Sequence, residues 1–379
     1  MDELTSKTIS WLRFVLVMMV LLYHVHPDGN PNFLGTDVSR LADGTVGQVV
    51  YTVAALAMFV VCNLSVPLFF FISGYLFYTS SREWNWRDVW WSKMKRRVYT
   101  LLIPYLAYNL LSAANGYIMS AVDPSFAVSW SNPAALPFIG EFWNSTTACA
   151  GMTNILGFSM QLYYTADIPL WFVRDLMLTV AVSPVIYGLI CRCAVCWLGT
   201  LGVLFVCGVG ATLPGLNTYA LLFFSLGACF RIKEVDLLGF VRRWRWVWLV
   251  VGVVLLALSV VWYARPFAQQ FQHLFFVVGI FGLVFLGASL LEKGRCRVHP
   301  LLVRSSFFVF AAHMMPIGYS SLLSLGGEVA HWLLPMEHVA VAPFGYVFAA
   351  CFIAAIGVLL YKGMERLAPW MLKVLSGGR

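Results

Sequence analysis

An arginine and a histidine eleven positions apart, Arg13 and His24, stand in the hydrophobic run from Ser10 to His26. A helix turns about 100° and rises about 1.5 Å per residue, so both side chains fall on one face roughly 16 Å apart along the axis. A guanidinium can hold an anion or a developing oxyanion. An imidazole can take a proton from a hydroxyl or carry a transferred group itself. Ionisable groups inside a membrane span are costly and usually face a protein interior or a water-filled cavity. Two readings fit: a polar stripe lining a cavity, or an Arg13 that snorkels to the near headgroups with His24 at the far interface.

Other residues could join such chemistry. In SREWNWRDVWWSKMKRRVYT the cations Lys93, Lys95, Arg96 and Arg97 follow a tryptophan-rich stretch, with Lys93 and Arg96 spaced for one helix face. The segment reads either as an interfacial anchor or as a clasp for a phosphate-bearing ligand. Arg174 and Asp175 are adjacent in PLWFVRDLMLT; neighbours on a helix diverge by about 100°, so each is expected to pair with a different helix, as a structural ion pair or a cavity lining. His313 sits in SSFFVFAAHMMPIGYSS ahead of Pro316, either bonding a neighbouring helix or serving a site. Ser73 and Gly74, side by side, permit close helix packing. No metal site is expected. Cys191, Cys193 and Cys196 have no second cluster or nearby histidine, and His331, Glu337 and His338 form no supported ligand set.

The elements that must position these groups follow from composition. Of 379 residues, 60% are hydrophobic and only 11% charged, which excludes an ordinary soluble domain. Apolar windows near the length that crosses a bilayer recur at 9–26, 63–79, 98–119, 169–190, 197–213, 216–231, 246–263, 272–291, 305–325 and 339–361. The expected fold is therefore all-α, a polytopic bundle of about ten transmembrane helices of roughly 20 residues each, forming one integral membrane domain over 1–379. The apolar run Val49 to Cys62 reads as a re-entrant or interfacial helix. With both termini cytoplasmic, nearly all lysines and arginines outside the spans fall on the inner side, leaving Arg40 and Arg265 outside. The net charge of +8 thus conceals a strongly basic inner face. Nothing in this pattern points to nucleic acid.

Taken in order, these segments resemble the acyltransferase 3 family of integral membrane O-acyltransferases. The resemblance rests on Arg13 and His24 in the first span, VPLFFFISGYLF at 66–77, KMKRRVYTLLIPYL at 93–106, PLWFVRDL at 169–176 and SSFFVFAAHMMPI at 305–317. It implies transfer of an acyl group, usually acetyl, from cytoplasmic acyl-CoA to a hydroxyl of a carbohydrate or lipid-linked glycan. It also implies a multi-pass protein of a bacterial plasma (inner) membrane, among membrane lipids, with acetyl-CoA as donor substrate and no permanently bound cofactor. On that reading His24 and Arg13 are the catalytic pair, and Arg13, Lys93, Arg96 and Arg97 hold the donor's phosphates. Ser73, Arg174, Asp175 and His313 are cavity or oxyanion candidates. The rival reading is a secondary transporter or lipid-glycan flippase, whose internal repeats and paired broken helices the sequence does not display.

Overall fold

The helix that carries Arg13 and His24, α1 (Glu3–His24), is the one the rest of the chain surrounds. Its start is fixed locally: the Asp2 carboxylate accepts from Thr5 N at 2.6 Å, and Glu3 pairs with Lys7 one turn on, so free amides and the dipole at the helix N-terminus are met by negative charge. The computed structural model describes residues 2–25, 46–78, 89–123, 149–155, 158–163, 165–208, 212–213, 216–263, 265–334 and 342–378. The loop at 27–45, most of the tryptophan-rich stretch before Val89, the aromatic residues Trp130 to Trp143, and Glu337 with His338 lie outside them.

Helices α2 (Val46–Cys62) and α3 (Ser65–Phe77) follow α1. Next come α4 (Trp91–Arg97), a π-helical turn at Val98–Leu102, and α5 (Ile103–Val122). A hairpin of β1 (Cys149–Ile155) and β2 (Phe158–Tyr163) leads to α6 (Trp171–Ala181) and α7 (Ser183–Val206). A second, two-residue hairpin, β3 (Thr212–Leu213) with β4 (Leu216–Asn217), precedes α8 (Thr218–Ile232). The chain continues through α9 (Leu237–Arg243), α10 (Arg245–Val261), α11 (Ala268–Glu292) and α12 (Pro300–Ala312). It closes with α13 (Leu322–Leu333), α14 (Ala342–Leu367) and α15 (Pro369–Ser376). Helices α2, α3, α11, α12 and α14 all contact α1. The body is helical, as the composition requires; the two hairpins are the departure from an all-α chain.

Among the described residues, five helical stretches are long and apolar enough to cross a membrane, or six if the α9–α10 pair, bent by 69°, counts as one. Two boundaries differ from the sequence reading. The apolar run ending at Cys62 does not stand apart from the second span: α2 runs through Asn63 and Leu64 into α3, and Val53–Phe77 forms one candidate span. The windows at 169–190 and 197–213 meet within α7, whose backbone leaves helical geometry at Cys193 (φ −145°, ψ 48°), with Cys191, Cys193 and Cys196 exposed around that break.

The tightest helix crossing is α3 against α8. A side chain on Gly74 would strike the Phe224 carbonyl, and one on Gly227 would strike the Phe71 carbonyl. Each glycine thus lets the other helix's backbone in, the close approach small residues permit within membranes. This crossing fixes the α3 face carrying Phe69 and Ser73.

Candidate active site

A cavity of about 560 Å³ opens between α1, α3, α4, α6 and α12. Arg13, Ser73, Lys93, Arg96 and Arg97 all line it. Helix contacts thus gather residues from three separated stretches of the sequence. Three further polar contributors, Thr100 and, on α12, Arg304 and Ser306, are not marked by the sequence as site residues; Arg304 reads from sequence as one more loop cation beside a span. The remaining wall is apolar, with Val17, Phe69, Phe77, Phe172, Phe307 and Phe310.

The cations are held differently. Lys93 donates to the carbonyl of Phe77, the last residue of α3, and its ammonium lies 5.2 Å from the Phe77 ring centroid. A cation there answers the unsatisfied carbonyls at a helix C-terminus. Burial, and then the neighbouring Arg97 and Arg231 cations, hold the Lys93 ammonium down to about 8. Arg304 pairs with Glu365 at 3.2 Å. Arg13, Arg96 and Arg97 have no carboxylate partner among the described residues. Burial and the like charges of Arg96 and Arg13 work against the Arg97 cation. Such a cluster in an apolar-walled cavity is relieved by an anion. The π-helical turn begins directly after Arg97 and adds Thr100 and Leu101 to the lining; π-turns recur at functional sites because they re-aim side chains.

His24 is not in that lining. The shared face on α1 is real, but the cavity reaches only Val17 along the helix, about 10 Å short of His24 at 1.5 Å per residue. Instead His24 meets His313, which caps the end of α12. His24 Nδ1 lies 3.0 Å from the Val20 carbonyl and 3.3 Å from His313 Nε2, while His313 Nδ1 lies 2.6 Å from the Phe310 carbonyl. A carbonyl only accepts, so in the neutral rings each Nδ1 carries the hydrogen. His313 Nε2 then presents a lone pair to the Nδ1–H of His24, and His24 Nε2 keeps its own lone pair. His313 is fully buried, whereas His24 is partly exposed. The expectation that His313 bonds a neighbouring helix is met, and the partner on that helix is His24.

The adjacent Arg174 and Asp175 bond to each other, a contact that the sequence reading does not contain: Arg174 Nε donates to Asp175 Oδ1 at 3.0 Å. Asp175 Oδ2 also accepts from the Asn217 amide ahead of α8. Neither residue is in the cavity lining, though Phe172, Val173 and Leu176 around them are, so the pair buttresses the wall. One buried acid was missed. Asp167 is fully buried, its backbone N–H bonded to Asn109 Oδ1 at 3.0 Å, and neither carboxylate oxygen has a hydrogen-bond partner among the described residues. From sequence it was one more aspartate at the end of a long connection.

Comparison with curated proteins and with solved structures finds no match. The family model described as "Acyltransferase domain" does match, over residues 7–362, which spans Arg13, His24, the Lys93–Arg97 cluster and His313; the chain belongs to the acyltransferase 3 family.

Proposed function

We propose that the protein transfers an acyl group, acetyl in the first instance, from cytoplasmic acyl-CoA to a hydroxyl of a carbohydrate or lipid-linked glycan. The observation that carries this reading is the cavity in which Arg13, Arg96 and Arg97 lack carboxylate partners among the described residues and Lys93 adds a fourth cation. Coenzyme A is a polyanion joined to a long, mostly uncharged arm, which suits a basic mouth and an apolar interior. In this reading the chain crosses the membrane ten times. The break at Cys193 separates two crossings, and the Lys93 end of the bundle faces the cytoplasm.

The phosphates bind at Lys93, Arg96 and Arg97, and the arm runs along α1 past Arg13 toward His24. His24 Nε2 takes the proton from the acceptor hydroxyl as its oxygen attacks the thioester carbonyl. The carbon–sulfur bond breaks, and the departing thiolate recovers the proton from the imidazolium. His313 holds the Nδ1–H of His24, fixing which nitrogen reacts, as an orienting partner does in a catalytic triad. The same lone pair can instead take the acyl group first; labelled acyl retained on the protein without acceptor identifies that route.

The test is direct. Purified protein in lipid nanodiscs is given acetyl-CoA labelled in the acetyl group together with extracted membrane glycolipids. Release of CoA thiol with transfer of label to the glycolipid fraction supports the proposal. Movement of intact glycolipid across a vesicle membrane without thiol release would sink it in favour of a flippase.

A further inference from the structure

Three phenyl rings, one from each of three helices, come together in the cavity wall on the side of His313. Phe69 of α3, Phe172 of α6 and Phe310 of α12 all line the cavity, and their centroids lie 5.6, 6.3 and 6.1 Å apart in the three pairings. Aromatic rings at 4.5–7 Å are in contact, so no passage for a chain remains between them. Directly behind, the Phe310 ring is 6.2 Å from His313, itself 5.1 Å from His24. Phe310 thus stands between the cavity it lines and the imidazole pair.

The three rings are not held equally. Phe172 also packs on Phe70 at 4.7 Å, and Phe310 on Phe307 at 6.4 Å as well as on His313. Phe69 is half-buried, and among the described residues its ring pairs only with the other two. Of the three it has the fewest ring neighbours among the described residues.

We propose that Phe69, Phe172 and Phe310 form a size-selective threshold, with Phe69 as its movable leaf, that admits a short acyl thioester to His24 and turns back longer acyl chains and bulk water. The proposal rests on the acyl-CoA reading for its substrate and on ring geometry for its barrier. Excluding water matters because water can replace the acceptor: its oxygen bonds to the acyl carbon, the carbon–sulfur bond breaks, and carboxylic acid and free CoA thiol result. A closed threshold keeps that hydrolysis slow until the acyl end has displaced the leaf.

Two measurements test this on the full chain. CoA thiol release by the purified protein, with acetyl-CoA or octanoyl-CoA and without acceptor, is compared for wild type, Phe69→Ala and the milder Phe69→Leu. Discrimination by methylene groups in an apolar pocket runs to roughly 10- to 200-fold. The octanoyl-to-acetyl ratio should accordingly rise at least about tenfold in Phe69→Ala, with faster acetyl-CoA hydrolysis and an intermediate effect in Phe69→Leu. Unchanged ratio and hydrolysis in both variants overturn the proposal. The second measurement needs no acyl donor. A thiol introduced by His24→Cys is exposed in proteoliposomes to a membrane-impermeant methanethiosulfonate reagent supplied only on the Lys93 side, and modification is read by peptide mass. It should be slow alone and several-fold faster when combined with Phe69→Ala or Phe69→Leu; equal rates overturn the barrier. Faster labelling in a protein that never consumes acyl-CoA would instead sink the donor assignment and leave the barrier standing.

Discussion

The Nε2 of His313 lies 3.3 Å from the Nδ1 of His24, although 289 residues separate them in the chain. With both Nδ1 hydrogens assigned by carbonyl partners, the contact runs from the N–H of His24 to the lone pair of His313. His24→Ala should therefore fold and bind donor but lose transfer by about 10²- to 10⁴-fold, the range for removing a general acid or base. His313→Ala should lower kcat with donor Kd unchanged, and His313→Gln, which keeps an acceptor, should recover part of the loss. Equal loss in the alanine and glutamine variants would count against the positioning role. Single-turnover transfer and donor-binding isotherms separate these outcomes.

If the donor's phosphates sit at Lys93 as proposed, donor affinity should depend on pH. The Lys93 ammonium is held down to about 8 by burial and by neighbouring cations, so it is charged below that pH and loses its charge above it. A bound polyanion favours the charged form, so affinity should be highest below pH 8 and fall as pH rises through and beyond it. Lys93→Arg, charged throughout, should remove this inflection. A donor-binding titration from pH 7 to 9.5 checks it, and an inflection that persists in Lys93→Arg would assign it to another group.

Arg96 and Arg97 should each contribute a salt-sensitive share of donor affinity, because phosphate contacts at a partly solvated mouth are screened over about 8–10 Å at 0.1–0.15 M salt. Arg96→Ala and Arg97→Ala should weaken donor binding and flatten its salt dependence while leaving membrane insertion intact. Unchanged affinity at both low and high salt would reduce the cluster to a topological anchor. Arg13→Ala, deeper in the cavity, should lower both affinity and turnover.

The α3–α8 crossing admits no side chain. Gly74→Val or Gly227→Val drives a branched side chain into the opposite helix backbone, Phe224 or Phe71, and should destabilise by more than the about 1–3 kcal/mol usual for overpacking, since backbone cannot rotate aside. Gly188→Ala, with open space around its Cβ position, should leave stability unchanged or slightly raised. Thermal-aggregation midpoints of detergent-solubilised protein, read by size-exclusion fluorescence, test the contrast.

Much was legible in the sequence because it is set by local chemistry. Apolar composition and window length dictate a helical membrane body, since backbone polar groups in hydrocarbon must bond within their own segment. Helical periodicity places Arg13 and His24 on one face of α1, and residue type and spacing mark Ser73, Lys93, Arg96 and Arg97 as candidates. What only the tertiary structure decided concerns neighbours far apart in sequence. Periodicity fixes the face on which a side chain emerges but not what lies opposite. It thus places Arg13 and His24 in line but does not reveal the rings of Phe69, Phe172 and Phe310 that meet in the cavity wall. The divergence of adjacent residues likewise suggests partners on other helices for Arg174 and Asp175; Asp175 has one in Asn217, and the bond between the two is what packing adds. The approach of His313 to His24 depends on α12 packing against α1 and ending at His313, ahead of Pro316. Helix packing is a property of whole surfaces, and the joining of these two imidazoles is decided there.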